Sequence, residues 1–179
     1  AESIGKDEKQ KVIIQFSYSI YSKILNNLRW KLPDIHFGIK PTENLLISGR
    51  FFGFHLERDT PQIIGSGMHY NFGEDNFWMI SFQKSAINGL NDFRLVSSSF
   101  HLERYFTKSI FDIFLGIGSN SYKNKSYYVS NILPDKIEDK IKYFSSKLQF
   151  PYKGIKFGIS SKLSSELLLF QFFIIKGIL

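Results

Sequence analysis

Val12-Ile-Ile-Gln-Phe-Ser-Tyr-Ser-Ile20 carries the reading that decides the fold. Val12, Ile14, Phe16, Tyr18 and Ile20 take every second position, and Gln15, Ser17 and Ser19 fill the gaps. Alternate residues of a strand point to opposite faces, so this stretch is a strand with one apolar and one polar face. The pattern recurs down the chain. Ile35, Phe37 and Ile39 oppose His36, Gly38 and Lys40, while Phe52, Phe54 and Leu56 oppose Gly49, Gly53, His55 and Glu57. Ile64, Met68, Tyr70 and Phe72 oppose Gly65, Gly67, His69 and Asn71, and Trp78, Ile80 and Phe82 oppose Ser81 and Gln83. Val96, Phe100 and Leu102 oppose Ser97, Ser99, His101 and Glu103, and Phe111, Ile113, Leu115 and Ile117 oppose Asp112, Gly116 and Gly118. Ile155, Phe157 and Ile159 oppose Lys156, Gly158, Ser160 and Lys162, and Leu168, Phe170, Phe172 and Ile174 lie opposite Gln171. Arg50 and Ser66 interrupt the apolar side.

The polar face is built from Gly, Ser, Gln and His with a few charges. The solvent face of a β-sandwich would carry more Lys, Glu and Thr. Small polar residues on one side and large apolar ones on the other give the inverted order of a barrel in lipid, with its apolar face outward. The expectation is an all-β, antiparallel, up-and-down transmembrane β-barrel of about eight to ten strands, with ten favoured. Ten follows from splitting the segment between Tyr143 and Leu163 at Pro151-Tyr-Lys-Gly154. Residues 1–10 are expected to be an N-terminal periplasmic extension and residues 11–179 the barrel domain.

Polar breaks of turn composition join the strands: Lys40–Asn44, Asp59–Pro61, Gly73–Asn76, Thr107–Ser109 and Ser164–Glu166. Longer connections are expected over 22–34, 86–91 and 123–141, the last opening a short helix after Pro134-Asp135. The string Phe-His-Leu-Glu-Arg occurs at 54–58 and 100–104 and reads as a repeated strand end.

Composition narrows the function classes. With 43% apolar residues and 19 Phe among 179 residues, the chain can offset the entropy of ordering, and disorder is not expected. The absence of Cys excludes disulfides, Cys-based zinc sites and thiol nucleophiles. The net charge of +7 suits anionic lipid or lipopolysaccharide phosphate. No basic stripe interleaves with base-stacking aromatics, so nucleic acid is not an expected partner. No run of about 20 apolar residues is present that could form a membrane helix. The opening Ala-Glu-Ser-Ile-Gly5 reads as the start of a mature chain after signal-peptide removal.

Gly38-Ile-Lys-Pro-Thr-Glu-Asn-Leu-Leu46, Tyr70-Asn-Phe-Gly-Glu-Asp-Asn76 and Glu103-Arg-Tyr-Phe-Thr-Lys-Ser109 resemble the strand–turn–strand segments of small bacterial outer-membrane barrels of the OmpA-like or OmpW-like group. The resemblance spans most of residues 11–176. It implies an outer-membrane barrel without enzymatic activity, with tight turns on the periplasmic side. Members of that group usually end on an aromatic residue, whereas this chain reads Lys-Gly-Ile-Leu179.

All four histidines, His36, His55, His69 and His101, fall on the polar face. His55 lies near the opposite end from the other three, which sit on alternate strands. This argues against one shared metal or haem site and for a lumen network of hydrogen bonds formed by His36, His55, Glu57, His69, His101, Glu103 and Asp112. A tight turn at 105–108 would set His101 directly across from Asp112. Ser97 and Ser99 share the face of His101, but residues two apart on a strand lie side by side and do not make a triad relay. No catalytic residue, metal or cofactor is therefore expected. Tyr18, Trp30, Tyr70, Trp78, Tyr105, Tyr122, Tyr127 and Tyr128 suit interfacial girdles. The basic segment 123–142 suits a surface loop facing lipopolysaccharide or a protein partner of the envelope. The expected role is structural, anchoring or a narrow pore, with a subunit of a larger envelope assembly as one form of it. A lipid-modifying enzyme and a soluble lipocalin-like carrier are the alternatives.

Overall fold

A computed structural model describes residues 11–23, 29–53, 61–74, 77–89, 93–108, 110–127 and 136–178. Ten strands follow one another: β1 (Val12–Lys23), β2 (Arg29–Ile39), β3 (Leu45–Gly53), β4 (Gln62–Phe72), β5 (Trp78–Asn88), β6 (Phe93–Thr107), β7 (Asp112–Ser126), β8 (Lys136–Tyr152), β9 (Ile155–Leu163) and β10 (Leu167–Ile178). Each pairs antiparallel with its neighbours in sequence, and β10 returns to pair with β1, which closes the barrel. Closure leaves no edge strand over the paired wall, so the backbone groups there are satisfied within the sheet.

The alternation read from sequence maps onto inside and outside. Gln15, Ser17, Ser19, His36, His69, Ser81, His101 and Glu103 are buried in the lumen. Outside, Phe16 (56% exposed), Met68 (56%), Phe82 (54%) and Phe172 (53%) keep more than half their surface free. So broad an apolar exterior is unfavourable in water and favourable in lipid. This excludes the soluble carrier, whose apolar face would point inward. Near the rim that carries both chain ends, Tyr70 stacks on Phe72 (centroids 6.5 Å apart), and the Arg104 guanidinium lies 5.2 Å from the Trp78 ring and 5.3 Å from that of Phe106. These outward groups form an interfacial girdle with a shielded cation. Tyr105, expected there, is instead buried in the lumen.

The connections at the rim with the chain ends are short, at 40–44, 73–77, 108–111 and 153–154. Lys153 (φ 46°) and Gly154 (φ 78°) both lie in the left-handed region, the signature of a two-residue hairpin whose twist matches its strands.

Four expectations are corrected. In β3 the phase is shifted by one: Phe51 faces out, while Phe52 and Arg50 belong to the lumen-side row of Leu46 and Ser48. Of the segment 123–142 the described residues are nearly all strand, since Lys123 and Lys125 belong to β7 and Lys136–Lys142 to β8, and 128–135, with Pro134-Asp135, lie outside the described residues. The connections at 22–34 and 86–91 are shorter than expected, because β2 begins at Arg29 and β5 runs to Asn88. The second Phe-His-Leu-Glu-Arg string lies inside β6 and does not end it. The first copy, with His55 and Glu57, and the expected extension at 1–10 lie outside the described residues.

Candidate functional site in the lumen

Three layers fill the barrel. Toward the rim with the chain ends the lumen is closely packed, mostly by apolar side chains, with Lys147 and Gln149 buried among them. Ile13, Leu46, Phe173 and Ile175 form one buried cluster. On the facing wall Phe77 meets Tyr105 edge-on (5.1 Å), Tyr105 stacks on Phe114 (5.5 Å), and the Lys147 ammonium sits 4.2 Å from the Phe114 ring centre. At the other end a cavity of about 190 Å³ is lined by polar groups, among them Asp34, Arg50, Gln83, Ser99 and Asn120.

Between plug and cavity lies the polar layer, built from separate units. Asp34 and His36 are two residues apart on β2 and so share its inner face. Asp34 Oδ2 is 2.7 Å from His36 Nε2 and 2.8 Å from Arg50 Nη2, and Arg50 Nε donates to Asp34 Oδ1 at 2.8 Å. The Arg50 fork is thus bidentate on a nearly inaccessible carboxylate, a geometry matched to that anion. It bridges β2 and β3 just where their backbone pairing, which runs only from His36 to Ile39 on β2, has stopped.

His69 on β4 has a serine on each ring nitrogen, Ser48 Oγ at 2.9 Å on Nε2 and Ser81 Oγ at 2.9 Å on Nδ1. Three adjacent strands are tied through one imidazole. Gln171 extends the same principle across the closure, donating to Ser17 (3.0 Å) and Ser19 (3.2 Å) of β1.

His101 on β6 reaches over β7 to β8, where its Nε2 lies 2.7 Å from Ser145 Oγ. The reach depends on Gly116: a Cβ there would sit 2.7 Å from the Leu102 carbonyl oxygen and 2.8 Å from His101 Nε2. Gly116→Ala is therefore expected to lower stability by about 1–3 kcal/mol through overpacking against backbone. A urea midpoint unchanged from wild type would show that the strand shifts to accommodate the methyl group.

Ser145, His101 and Glu103 occur in the order of a nucleophile, base and acid. The details do not support hydrolysis. His101 Nδ1 is 3.7 Å from Glu103 Oε1, beyond hydrogen-bond length, and Glu103 Oε2 is held by Lys147 Nζ at 3.4 Å. Ser145 is buried and does not line the cavity, whose wall ends one layer away at Tyr143. The group acts as a strut between β6 and β8. Ser97 bonds Asn120 Oδ1 at 2.6 Å and takes no part in it.

His36, His69, His101 and Glu103 thus occupy the lumen in three units spread around the wall. Asp112 does not join them. The turn spans 108–111, so Asp112 pairs with Thr107, and Gly118 stands across from His101. Among the described residues no three His, Asp or Glu side chains converge as a metal site. Sequence reasoning missed Asp34, Arg50, Ser145 and Lys147. For the last two a signal existed, since Ser145, Lys147 and Gln149 alternate with Phe144, Leu148 and Phe150 across Ser146.

The fold and the lumen define the class: a small transmembrane β-barrel with an apolar exterior, a polar middle and a plugged end. No protein-family model matches the chain, and no curated protein matches its sequence. Among solved structures it is similar to the KdgM porin in complex with disordered oligogalacturonate (8% identity, TM-score 0.48, covering 93% of this chain and 99% of that one). It is likewise similar to the N-terminal β-barrel domain of Pseudomonas aeruginosa OprF (3% identity, TM-score 0.42, covering 93% and 98%). A third is Neisserial surface protein A (8% identity, TM-score 0.43, covering 93% and 96%).

Proposed function

We propose that the chain serves in the bacterial outer membrane as a plugged, non-enzymatic barrel with a structural or anchoring role, open to use as a subunit of a larger envelope assembly. On this reading the rim with the chain ends and short turns faces the periplasm, and the longer connections face outward. The observation that carries it is the filled end at the rim with the chain ends, where Ile13, Phe114 and Phe173 keep 2%, 3% and 4% of their surface exposed. A continuous water path would have to cross this layer, where apolar side chains pack closely around the buried Lys147 and Gln149. The alternative of a narrow pore is correspondingly less favoured.

Reconstitution into planar bilayers tests the reading. Purified wild-type barrel is expected to insert without conductance steps, and regular openings would defeat the plugged-barrel assignment. Density-gradient fractionation of cells tests the location, with the chain expected in the outer-membrane fraction.

A further inference from the structure

We infer that the outer face of β6–β9 holds a phosphorylated glycolipid of the lipid A kind, with its phosphate on Lys140 and Lys142 and an acyl chain in the groove beneath. The inference rests on the outer-membrane reading above and deepens it by naming a lipid and its site.

The site follows from register. On the outside of the barrel Leu163 pairs with Phe144, Phe144 with Ile117, and Ile117 lies beside Leu102, so one row across four strands is wholly apolar. The next outward row toward the far rim begins with Lys142 beside Ser119, and the one after it with Lys140 beside Ser121. The switch from hydrocarbon to cation thus takes place within two residues on one strand. That is the chemistry of the boundary between acyl chains and phosphorylated headgroups. The two lysines sit about 6.6 Å apart along the strand, close enough to share one phosphate.

Two features make this more than a basic surface. First, β8 outruns its neighbour. It begins at Lys136, whereas β9 ends at Leu163 opposite Phe144, and the β9–β10 turn leaves a groove of about 720 Å³ running from Phe100 and Ile117 to Lys140, Lys142 and Ser165. Phe144, Leu163 and Ile117 are half or more exposed there and form an acyl-chain surface. Second, the charges are sorted. Lys123 and Lys136 both bind Glu138, and the hydrogen bond from Lys136, then that from Lys123, holds its carboxyl below the usual range. Among the described residues no carboxylate lies within ion-pair distance of Lys140 or Lys142. The two cations nearest the groove are the ones left available for an external anion.

The test uses the full chain purified in non-ionic detergent and native mass spectrometry with bis-phosphorylated lipid A, its dephosphorylated form and phosphatidylglycerol. Phosphorylated lipid A is expected to bind wild type. The K140Q/K142Q variant should bind it roughly thirtyfold more weakly, from the worth of two lysines at a lipid surface. K123Q/K136Q, which removes cations already matched by Glu138, should stay within about threefold of wild type. Equal binding by K140Q/K142Q overturns the site. Equal wild-type binding of the dephosphorylated lipid or of phosphatidylglycerol overturns the ligand, and those wild-type comparisons hold even if a variant fails to fold. A self-associating barrel that binds none of the lipids would give the face to a second copy. Because binding is measured in detergent, it can fail while fractionation still places the chain in the outer membrane, and the reverse.

Discussion

Asp34→Ala is expected to destabilise the barrel by about 3–5 kcal/mol, the range for breaking a buried ion pair by removing one partner. The carboxylate is 3% exposed and accepts from His36 and twice from Arg50. Without it Arg50 and His36 lose the carboxylate that they share. Arg50 borders the cavity and keeps 26% of its side chain accessible, so water offsets part of the loss and the lower end of the range applies. The site also has a mechanical role. Backbone pairing between β2 and β3 stops at His36 and Arg50, and the Asp34–Arg50 fork adds a side-chain link between the two strands at that point. Asp34→Asn keeps the shape and one acceptor and should cost distinctly less. Urea titrations followed by fluorescence of the two tryptophans would measure both. A midpoint for Asp34→Ala within error of wild type would mean that the fork adds nothing to the wall.

The second large effect is a gain of function. Phe114→Ala or Phe173→Ala should each cost about 3–5 kcal/mol in core packing and turn a silent barrel into a conducting one. Phe114 stands between Tyr105 and the Lys147 ammonium, and Phe173 packs in the cluster with Ile13, Leu46 and Ile175. Either truncation opens a path from the polar layer toward the rim with the chain ends. With Phe114 gone, Lys147 loses its ring and faces the new space, which should bias the opening toward anions. Folded variants that remain silent in bilayers would show that other residues carry the seal.

Most of the fold was legible because the two sides of a membrane strand meet different media. Where lipid lies on one side and a packed lumen on the other, alternation is strong, and β1, β4, β6 and β10 were phased correctly from it. The misreadings fall where that contrast fails. Phe51-Phe52 offers an aromatic at either parity, so β3 carried no phase of its own. In the fold Arg50 turns inward to Asp34 on the adjacent strand, a partner that only the register reveals. Beyond the apolar band both faces of β7 and β8 meet water, so their outer parts lose alternation and read as a loop, although Lys125 and Lys136 are still in register. The site was legible as polar lumen residues and not as units. Which serine meets which imidazole depends on a neighbour one or two strands away and on the missing side chain at Gly116.

The order of the strands has a consequence for assembly. Nine of the ten ladders join strands adjacent in sequence, and only β1 with β10 joins the ends of the barrel, Val12 meeting Ile178. A chain of this kind can zip hairpin by hairpin at low entropic cost, beginning at tight turns such as Lys153-Gly154. The cost of bringing distant parts together is then concentrated in one seam, where serines of β1 meet Gln171 of β10. The rate of that final closure, more than the strength of any hairpin, would set how long an unfinished sheet exposes two open edges to its neighbours.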